Sequence, residues 1–417
     1  MDRNPAQRTV GSLAMAAPFR SRELRVRPAR RIDLLVHFAG AFDLVEGQAV
    51  GHAARIAYLG HAVAEGLGLT SEERARVLHV GLLHEAGAAL HEDTSPDAGA
   101  WIAGRFGLDS QVAEAVRAVH ERWDGRGGPV GMRSTDIPVE ALCVSAAHWA
   151  AEYTDHIDHP LRARASLQRA DESELAPLVG PDVADALRDV LRDDQTWLAV
   201  FSEDLPGLVA RLGVGEGKPS RRRVEEATAA MGDVVDASFR ERGRARRISA
   251  LGRALAAHLG LADGVCETIA VAGHLLDIGQ LGVPPHILDK PSILTVDEME
   301  LMRRHPGVGA RMLERIPGFE DIAAWVEQHH ERPDGRGYPE MLSDDEFPLP
   351  PRILGVADAY WALRALRPYR PAHGPEEALE ILHAGAGRQF DADVLAVLPV
   401  ALEAAQQAMG EDAGAAG

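Results

Sequence analysis

The residues of this chain most able to do chemistry are histidines that fall beside carboxylates at the ends of predicted helices. In the second half His305, His329 and His330 join Asp277 and Asp358, and the run Pro333-Asp334-Gly335-Arg336-Gly337-Tyr338-Pro339 follows directly. Neutral imidazoles with carboxylates suit a Mn, Fe or Zn ion, and inward-facing ligands on a helical bundle are a recurrent way to hold one. The first half has a sparser set: His52, His84, Glu85 and His120. Three ligands at His52, His84 and Glu85 would make a reasonable mononuclear centre, because catalytic zinc commonly keeps three protein ligands and an open position. A polar cluster retained for packing is the other reading of the same residues. His274 lies three positions before Asp277, close to the same helix face, and is either a substitute ligand or a buried, hydrogen-bonded histidine.

The glycine-rich run also has two readings. It could bring backbone N–H groups and Arg336 toward a phosphate, with Tyr338 against a base. It must in either case be a tight turn after a helix, with glycines supplying positive φ. In the first half Gly128 stands where the second has Tyr338, which weakens any base contact there.

The elements that must position these residues occur twice. His52-Ala-Ala-Arg-Ile-Ala57 opens one amphipathic helix and Arg244-Ala-Arg-Arg-Ile-Ser249 another, 192 residues apart. At the same offset Gly81-Leu82-Leu83-His84-Glu85-Ala86-Gly87 lies over Gly273-His274-Leu275-Leu276-Asp277-Ile278-Gly279. The glycine-rich blocks beginning at His120 and His330 match at an offset of 210, so the second copy holds about 18 extra residues around Pro284 to Pro306. Apolar residues recur at three and four positions and β-branched alternation is rare, which predicts two all-helical bundles related by duplication. These are expected to pack through apolar helix faces. The expected organisation is an Arg-rich flexible arm at 1–31, a first domain at 32–212, a linker at 213–223, a second domain at 224–410 and a frayed tail at 411–417.

Composition narrows the function classes. The 417 residues carry 44 Lys+Arg against 63 Asp+Glu, a formal charge of −19, so an extended nucleic acid is a poor partner and any phosphate ligand must be held by a small local site. No apolar run approaches 18 residues, and no membrane segment is expected. Two cysteines far apart in apolar helical surroundings, Cys143 and Cys266, read as buried thiols, and the cytoplasm is the expected compartment.

The run Leu276-Asp277-Ile278-Gly279-Gln280, then His305-Pro306, His329-His330-Glu331, Asp334-Gly335 and Gly337-Tyr338-Pro339, resembles the HD-GYP family, a branch of the HD phosphohydrolase superfamily, over nearly all of residues 225–405. Residues 35–200 resemble a shorter, more diverged HD domain. The resemblance implies an all-α protein of two tandem HD-domain bundles, metal ions that are commonly iron or manganese, and, in many members, hydrolysis of cyclic di-GMP or related cyclic dinucleotides. Carried over by position, the first metal loses two ligands, to Arg244 and Leu276, and keeps Asp277 and Asp358. The neighbouring metal keeps its whole set of Asp277, His305, His329 and His330, so about one divalent ion per chain is expected in the C-terminal half. Gln280 stands where the family has a phosphate-holding lysine. In the first copy His52, His84 and Glu85 match first-metal positions, the late aspartate is matched to Ala146, and only His120 remains of the second set, beside Ser95 and Val119.

The function implied is a metal-dependent phosphodiesterase of cyclic dinucleotides in the second half. Asp277 and Arg244 would act at the reacting phosphate, and Arg336, Tyr338 and Gln280 would contact the substrate. Turnover is expected to be weak, with Arg244 salt-bridged to an aspartate in place of the first metal. The alternative is a catalytically inactive tandem HD module that binds a nucleotide or protein partner as a regulator. A third reading places phosphomonoester or nucleotide hydrolysis at His52, His84 and Glu85. A homodimer and a regulatory protein partner are both left open.

Overall fold

The computed structural model describes residues 30–415 apart from 88–89, 91–95, 155–156, 158, 171, 214–216, 240, 289 and 367–370. Nearly all of the expected arm, part of the expected linker, Ser95 and the last two residues of the tail therefore lie outside the described residues. The chain divides into two compact units, with the division between Ala227 and Thr228. Both are helical, and among the described residues no β-strand occurs, only an isolated bridge between Ala386 and Phe390.

In the N-terminal unit α1 (Arg31–Val45), α2 (His52–Gly66), α3 (Ser71–Leu83), α4 (Pro96–Arg105), α5 (Ser110–Arg117), α6 (Val139–Glu152) and α7 (Pro181–Arg192) carry the architecture. The helix α2 buries Ile56, Ala57, Leu59, Gly60, Val63 and Ala64, a three-and-four spacing that faces α3 and α6. The start of α3 is set by Thr70, whose hydroxyl accepts from the Glu73 N–H while the Glu73 carboxylate returns to the Thr70 N–H, a reciprocal cap.

The division falls within α8 (Arg221–Ser238), and the C-terminal unit continues with α9 (Arg244–His258), α10 (Asp263–His274), α11 (His305–Leu313), α12 (Glu320–Gln328), α13 (Leu349–Arg364) and α14 (Ala392–Ala415). Here α9 buries Ile248, Leu251, Gly252, Leu255 and Ala256 against α10, α13 and α14. The residues inserted in this copy form two short helices, Pro285–Leu288 and Val296–Met302, and lead directly into His305 at the head of α11.

One close approach recurs in both units and brings the site residues together. A Cβ added at Gly81 would lie 2.6 Å from the Ala57 Cα, and one at Gly273 would lie 2.7 Å from the Ser249 Cα. Only glycine lets the helix that ends in the metal-type pair press its backbone onto the helix that begins with His52 or Arg244. A second shared device fixes those helix starts. Asp43 accepts from the N–H groups of Gly51 and Ala53 at 2.7 and 2.9 Å, and Asp236 accepts from the Ala245 N–H at 3.0 Å. Burial pushes the Asp43 carboxyl up to about 6 and the Asp236 carboxyl up to about 7.

Candidate metal centres and an adjoining cavity

In the C-terminal unit the guanidinium of Arg244, the first residue of α9, is buried between Asp277 and Asp358. It pairs with the Asp277 Oδ2, with the Asp358 Oδ1 at 2.5 Å, and with Glu241 at 3.1 Å. Burial alone would raise the Asp277 carboxyl, but the Arg244 charge, aided by His305 and His329, holds it at about 2. Its other oxygen accepts from the Gln280 Nε2 at 2.5 Å and lies 3.6 Å from the His305 Nε2. Leu276 is a buried core residue beside it. His274 is not among the converging candidate ligands. It is buried with its Nδ1 3.3 Å from the Thr228 hydroxyl, the hydrogen-bonded alternative of the two that its position left open.

His305, His329 and His330 converge, with candidate ligand atoms all within 4.8 Å of one another. His305 and His329 use Nδ1 against the carbonyls of Met302 and Val326, at 2.8 and 2.5 Å, and each Nε2 is buried without a hydrogen-bond partner. That arrangement fixes the tautomer and leaves a lone pair aimed into the cluster, as metal-ligating histidines require. Burial also favours the neutral form, pushing His305 down to about 4 and His330 well below the ordinary range. The donor set therefore fits a divalent transition ion. Asp277 borders this trio while engaged by Arg244 and Gln280, and Asp358 is engaged by Arg244.

The glycine-rich loop proves to be a self-contained turn. The amides of Asp334, Gly335, Arg336 and Tyr338 are bonded within the protein, and those of Glu340, Met341 and Leu342 donate to the buried Glu331 carboxylate at 2.6, 3.0 and 3.1 Å. A Cβ at Gly337 would come within 2.4 Å of the Glu331 Cα, so the turn requires glycine there. The expectation that this loop offers backbone N–H groups to a phosphate is thus corrected at these positions; side chains remain. Tyr338 stacks on His330 with ring centroids 4.8 Å apart, and the Arg303 guanidinium lies 5.4 Å from the Tyr338 ring. A cavity of about 300 Å³ adjoins the trio, lined among others by Arg303, His330, Arg336, Tyr338, Asp358 and Phe390.

The N-terminal unit holds a second cluster, composed of His52, His84, Glu85 and His148. The His52, His84 and His148 Nε2 atoms lie 3.9, 3.7 and 3.6 Å from Glu85 carboxylate oxygens. His84 donates its Nδ1–H to the Gly81 carbonyl, 2.8 Å away, while its buried Nε2 and the Glu85 Oε2 have no hydrogen-bond partner. Burial pushes His84 down to about 4. Burial would raise Glu85, but His148, 3.6 Å away, and the other surrounding histidines hold it at about 2. His120 is exposed and outside this group.

His148 is the residue that sequence reading missed, through a two-residue register error. Pro138 and Pro348 cap α6 and α13 at the offset of 210, and this offset places His148, not Ala146, over Asp358. The contacts agree with it. The Ser145 hydroxyl donates to the Val119 carbonyl at 2.6 Å, and at the matching place Gly355 lies against the His329 carbonyl. Carrying the loop offset onward to the proline caps would have found His148.

Comparisons with known proteins agree with the architecture. Models described as HD domain match residues 50–150 and 232–394. The chain is 40% identical over 147 residues to a cyclic di-GMP phosphodiesterase response regulator of Xanthomonas campestris pv. campestris, a match covering 35% of this chain and 39% of that protein. It is 24% identical over 389 residues to the 3′3′-cGAMP-specific phosphodiesterase 1 of Vibrio cholerae, covering 86% of this chain and 89% of the relative. A crystal structure of a cyclic GMP-AMP specific phosphodiesterase of V. cholerae superposes with a TM-score of 0.68 at 22% identity, over 90% of this chain and 98% of that one. The chain spans about two fifths of the length of the first of these relatives.

Proposed function

Because the chain is a tandem HD-domain protein of the HD-GYP family, we propose that its C-terminal unit is a slow, metal-dependent phosphodiesterase of cyclic dinucleotides. HD domains are metal-dependent phosphohydrolases. The observation that carries the reading is the histidine trio, with a buried and unpartnered Nε2 on His305 and on His329, beside a cavity that presents Arg303, Arg336 and Tyr338. His305, His329 and His330, bordered by Asp277, would hold one iron, manganese or zinc ion. Such an ion supplies a water of lowered pKa and neutralises charge on the phosphorus oxygens.

The chain's own residues do the rest. Arg303 and Arg336 are exposed at the cavity and attract an anionic phosphodiester against the overall negative charge. Arg244 fills the place between Asp277 and Asp358 with a fixed cation, which balances both carboxylates but cannot be deprotonated. It therefore stabilises charge without contributing to nucleophile formation. Gln280 holds Asp277 through a hydrogen bond, so it acts by positioning that carboxylate. The relatives' names supply the substrate class, cyclic di-GMP or 3′3′-cGAMP. Two buried free cysteines support a reducing, cytoplasmic setting.

The test is turnover of cyclic di-GMP and 3′3′-cGAMP by protein loaded separately with Fe²⁺, Mn²⁺ and Zn²⁺, with His329→Ala as control. Slow hydrolysis lost in the control is expected. Binding of both dinucleotides with no hydrolysis under any ion would replace this reading with a nucleotide-binding regulator, which the Arg244 ion pairs favour.

A further inference from the structure

We propose that Tyr338 is a positioning residue for His330: its ring, stacked on the imidazole, keeps the third nitrogen donor of the C-terminal trio in the cluster. This rests on the reading of that trio as a metal site. The three histidines are not held alike. His305 and His329 each anchor Nδ1 on a backbone carbonyl, so a hydrogen bond fixes the ring and turns Nε2 inward. His330 has no such anchor among the described residues. Its ring is packed instead, against His329 with centroids 4.0 Å apart and against Tyr338 with centroids 4.8 Å apart and planes 25° from parallel. An imidazole without a fixing hydrogen bond turns between rotamers unless its faces are engaged, and an offset aromatic stack is an attraction that engages one. The Arg303 guanidinium, 5.4 Å from the Tyr338 ring, adds a cation to the same stack.

The first copy supplies the comparison within the same chain. The loop backbone follows one path in both units. The Tyr338 N–H donates to the His330 carbonyl at 3.3 Å, and the Gly128 N–H donates to the His120 carbonyl at 3.3 Å. A Cβ added at Gly337 or Gly127 would lie 2.4 or 2.7 Å from the Cα of Glu331 or Glu121. The residue after that glycine is therefore delivered to the same histidine in each unit, and its side chain is what differs. Beside Gly128 the histidine is exposed and stands outside the donor cluster of its unit; beside Tyr338 it is a member. Arg303 likewise belongs to the segment inserted in the second copy.

The ring on which a substrate base would stack is thus already engaged by His330 and Arg303. The effect of Tyr338 on a dinucleotide then runs through the ion that His330 helps to hold, which separates this role from a direct base contact.

The test uses the full-length protein with its Tyr338→Gly, Tyr338→Phe and His329→Ala variants. Zn²⁺ is titrated in competition with a chromogenic chelator, and the site in question is the one lost in His329→Ala. Its affinity should fall about 10–100-fold in Tyr338→Gly, the usual consequence of losing a group that orients a ligand, and stay within about twofold of the parent in Tyr338→Phe, which keeps the stack. Parent affinity in Tyr338→Gly, with only cyclic di-GMP binding weakened, would make Tyr338 a substrate contact and overturn the proposal. Equal losses in Tyr338→Gly and Tyr338→Phe would assign the effect to the hydroxyl and overturn it too. Crystal structures of the metal-free parent and Tyr338→Gly separate this from the phosphodiesterase reading. His330 turned out of the trio in the variant supports the positioning role even where no ion binds and that reading falls; His330 unmoved refutes it. Should Tyr338→Gly fail to fold, Tyr338→Leu, a side chain without a π face, replaces it in every measurement.

Discussion

Arg244 shows what a fixed cation does between two carboxylates. Its guanidinium sits between two buried carboxylates that would otherwise repel each other at close range, so it does electrostatically what a cation would do. Removing one partner of a buried pair leaves uncompensated charge, which costs about 3–5 kcal/mol. Arg244→Ala should therefore lower the stability of the C-terminal unit by about that amount, read as a shift in its urea unfolding midpoint. Added Mn²⁺ should restore part of the loss in the variant and not in the parent, because Asp277 and Asp358 are then open to an ion. Replacing both lost ligands, Arg244→His with Leu276→His, should raise metal content and cyclic di-GMP turnover together. Elemental analysis and product chromatography on the same preparations check this, and a rise in one without the other contradicts the role assigned to Arg244.

At the scale of elements, the loop after α12 depends on a carboxylate as well as on its glycines. Glu331 accepts three consecutive backbone N–H groups, and hydrogen bonds to a charged partner are worth about 1.5–3 kcal/mol each. Glu331→Ala should destabilise the C-terminal unit by at least that amount and weaken cyclic di-GMP binding, since Arg336 and Tyr338 lose their support. Urea melts and titration calorimetry measure the two effects. Glu121 does the same work in the first copy, accepting from Val130 and Gly131 at 2.6 and 3.0 Å, although no tyrosine follows there. The loop is thus first a fold element, in both copies.

The packing of α8 against α10 carries a pH dependence. Burial pushes His274 down to about 3, from an ordinary value of 6.5. Above pH 6.5 the group is neutral in both states and its burial has no proton-linked cost. As pH falls from 6.5 toward 3, the unfolded chain takes up a proton that the folded one refuses, and stability is lost over that window. His274→Leu should reduce the pH slope of unfolding free energy there by close to one proton. Unfolding curves at a series of pH values between 4 and 7 give the slope directly.

For the molecule as a whole, duplication has produced two histidine clusters with different histories. One retains a trio beside a cavity and has an arginine in the neighbouring place; the other gathers four donors around Glu85. An ion that binds only the folded state stabilises it by mass action. A chelator should therefore lower the calorimetric unfolding temperature of the parent protein in both units. The double variant His148→Ala with His329→Ala should lose that response altogether. No helix among the described residues is long and apolar enough to cross a membrane. Against a formal charge of −19, the exposed Arg303 and Arg336 give the cavity local positive charge.

Much of this protein could be read from its sequence. The helical class followed from three-and-four apolar spacing, and the duplication followed from blocks at offsets of 192 and 210. The histidine trio was legible because its members sit in recognisable runs. The pairing of Arg244 with an aspartate was legible for the same reason. Tertiary structure decided what spacing cannot encode. It put His148 opposite His52 and His84, because α6 keeps the register of its proline cap while sequence similarity along it has faded. It showed the loop amides turned inward onto Glu331, and His274 turned toward Thr228 instead of Asp277. Each of these depends on which way a side chain or an N–H points once helices have packed, and that direction is set by residues distant in the chain.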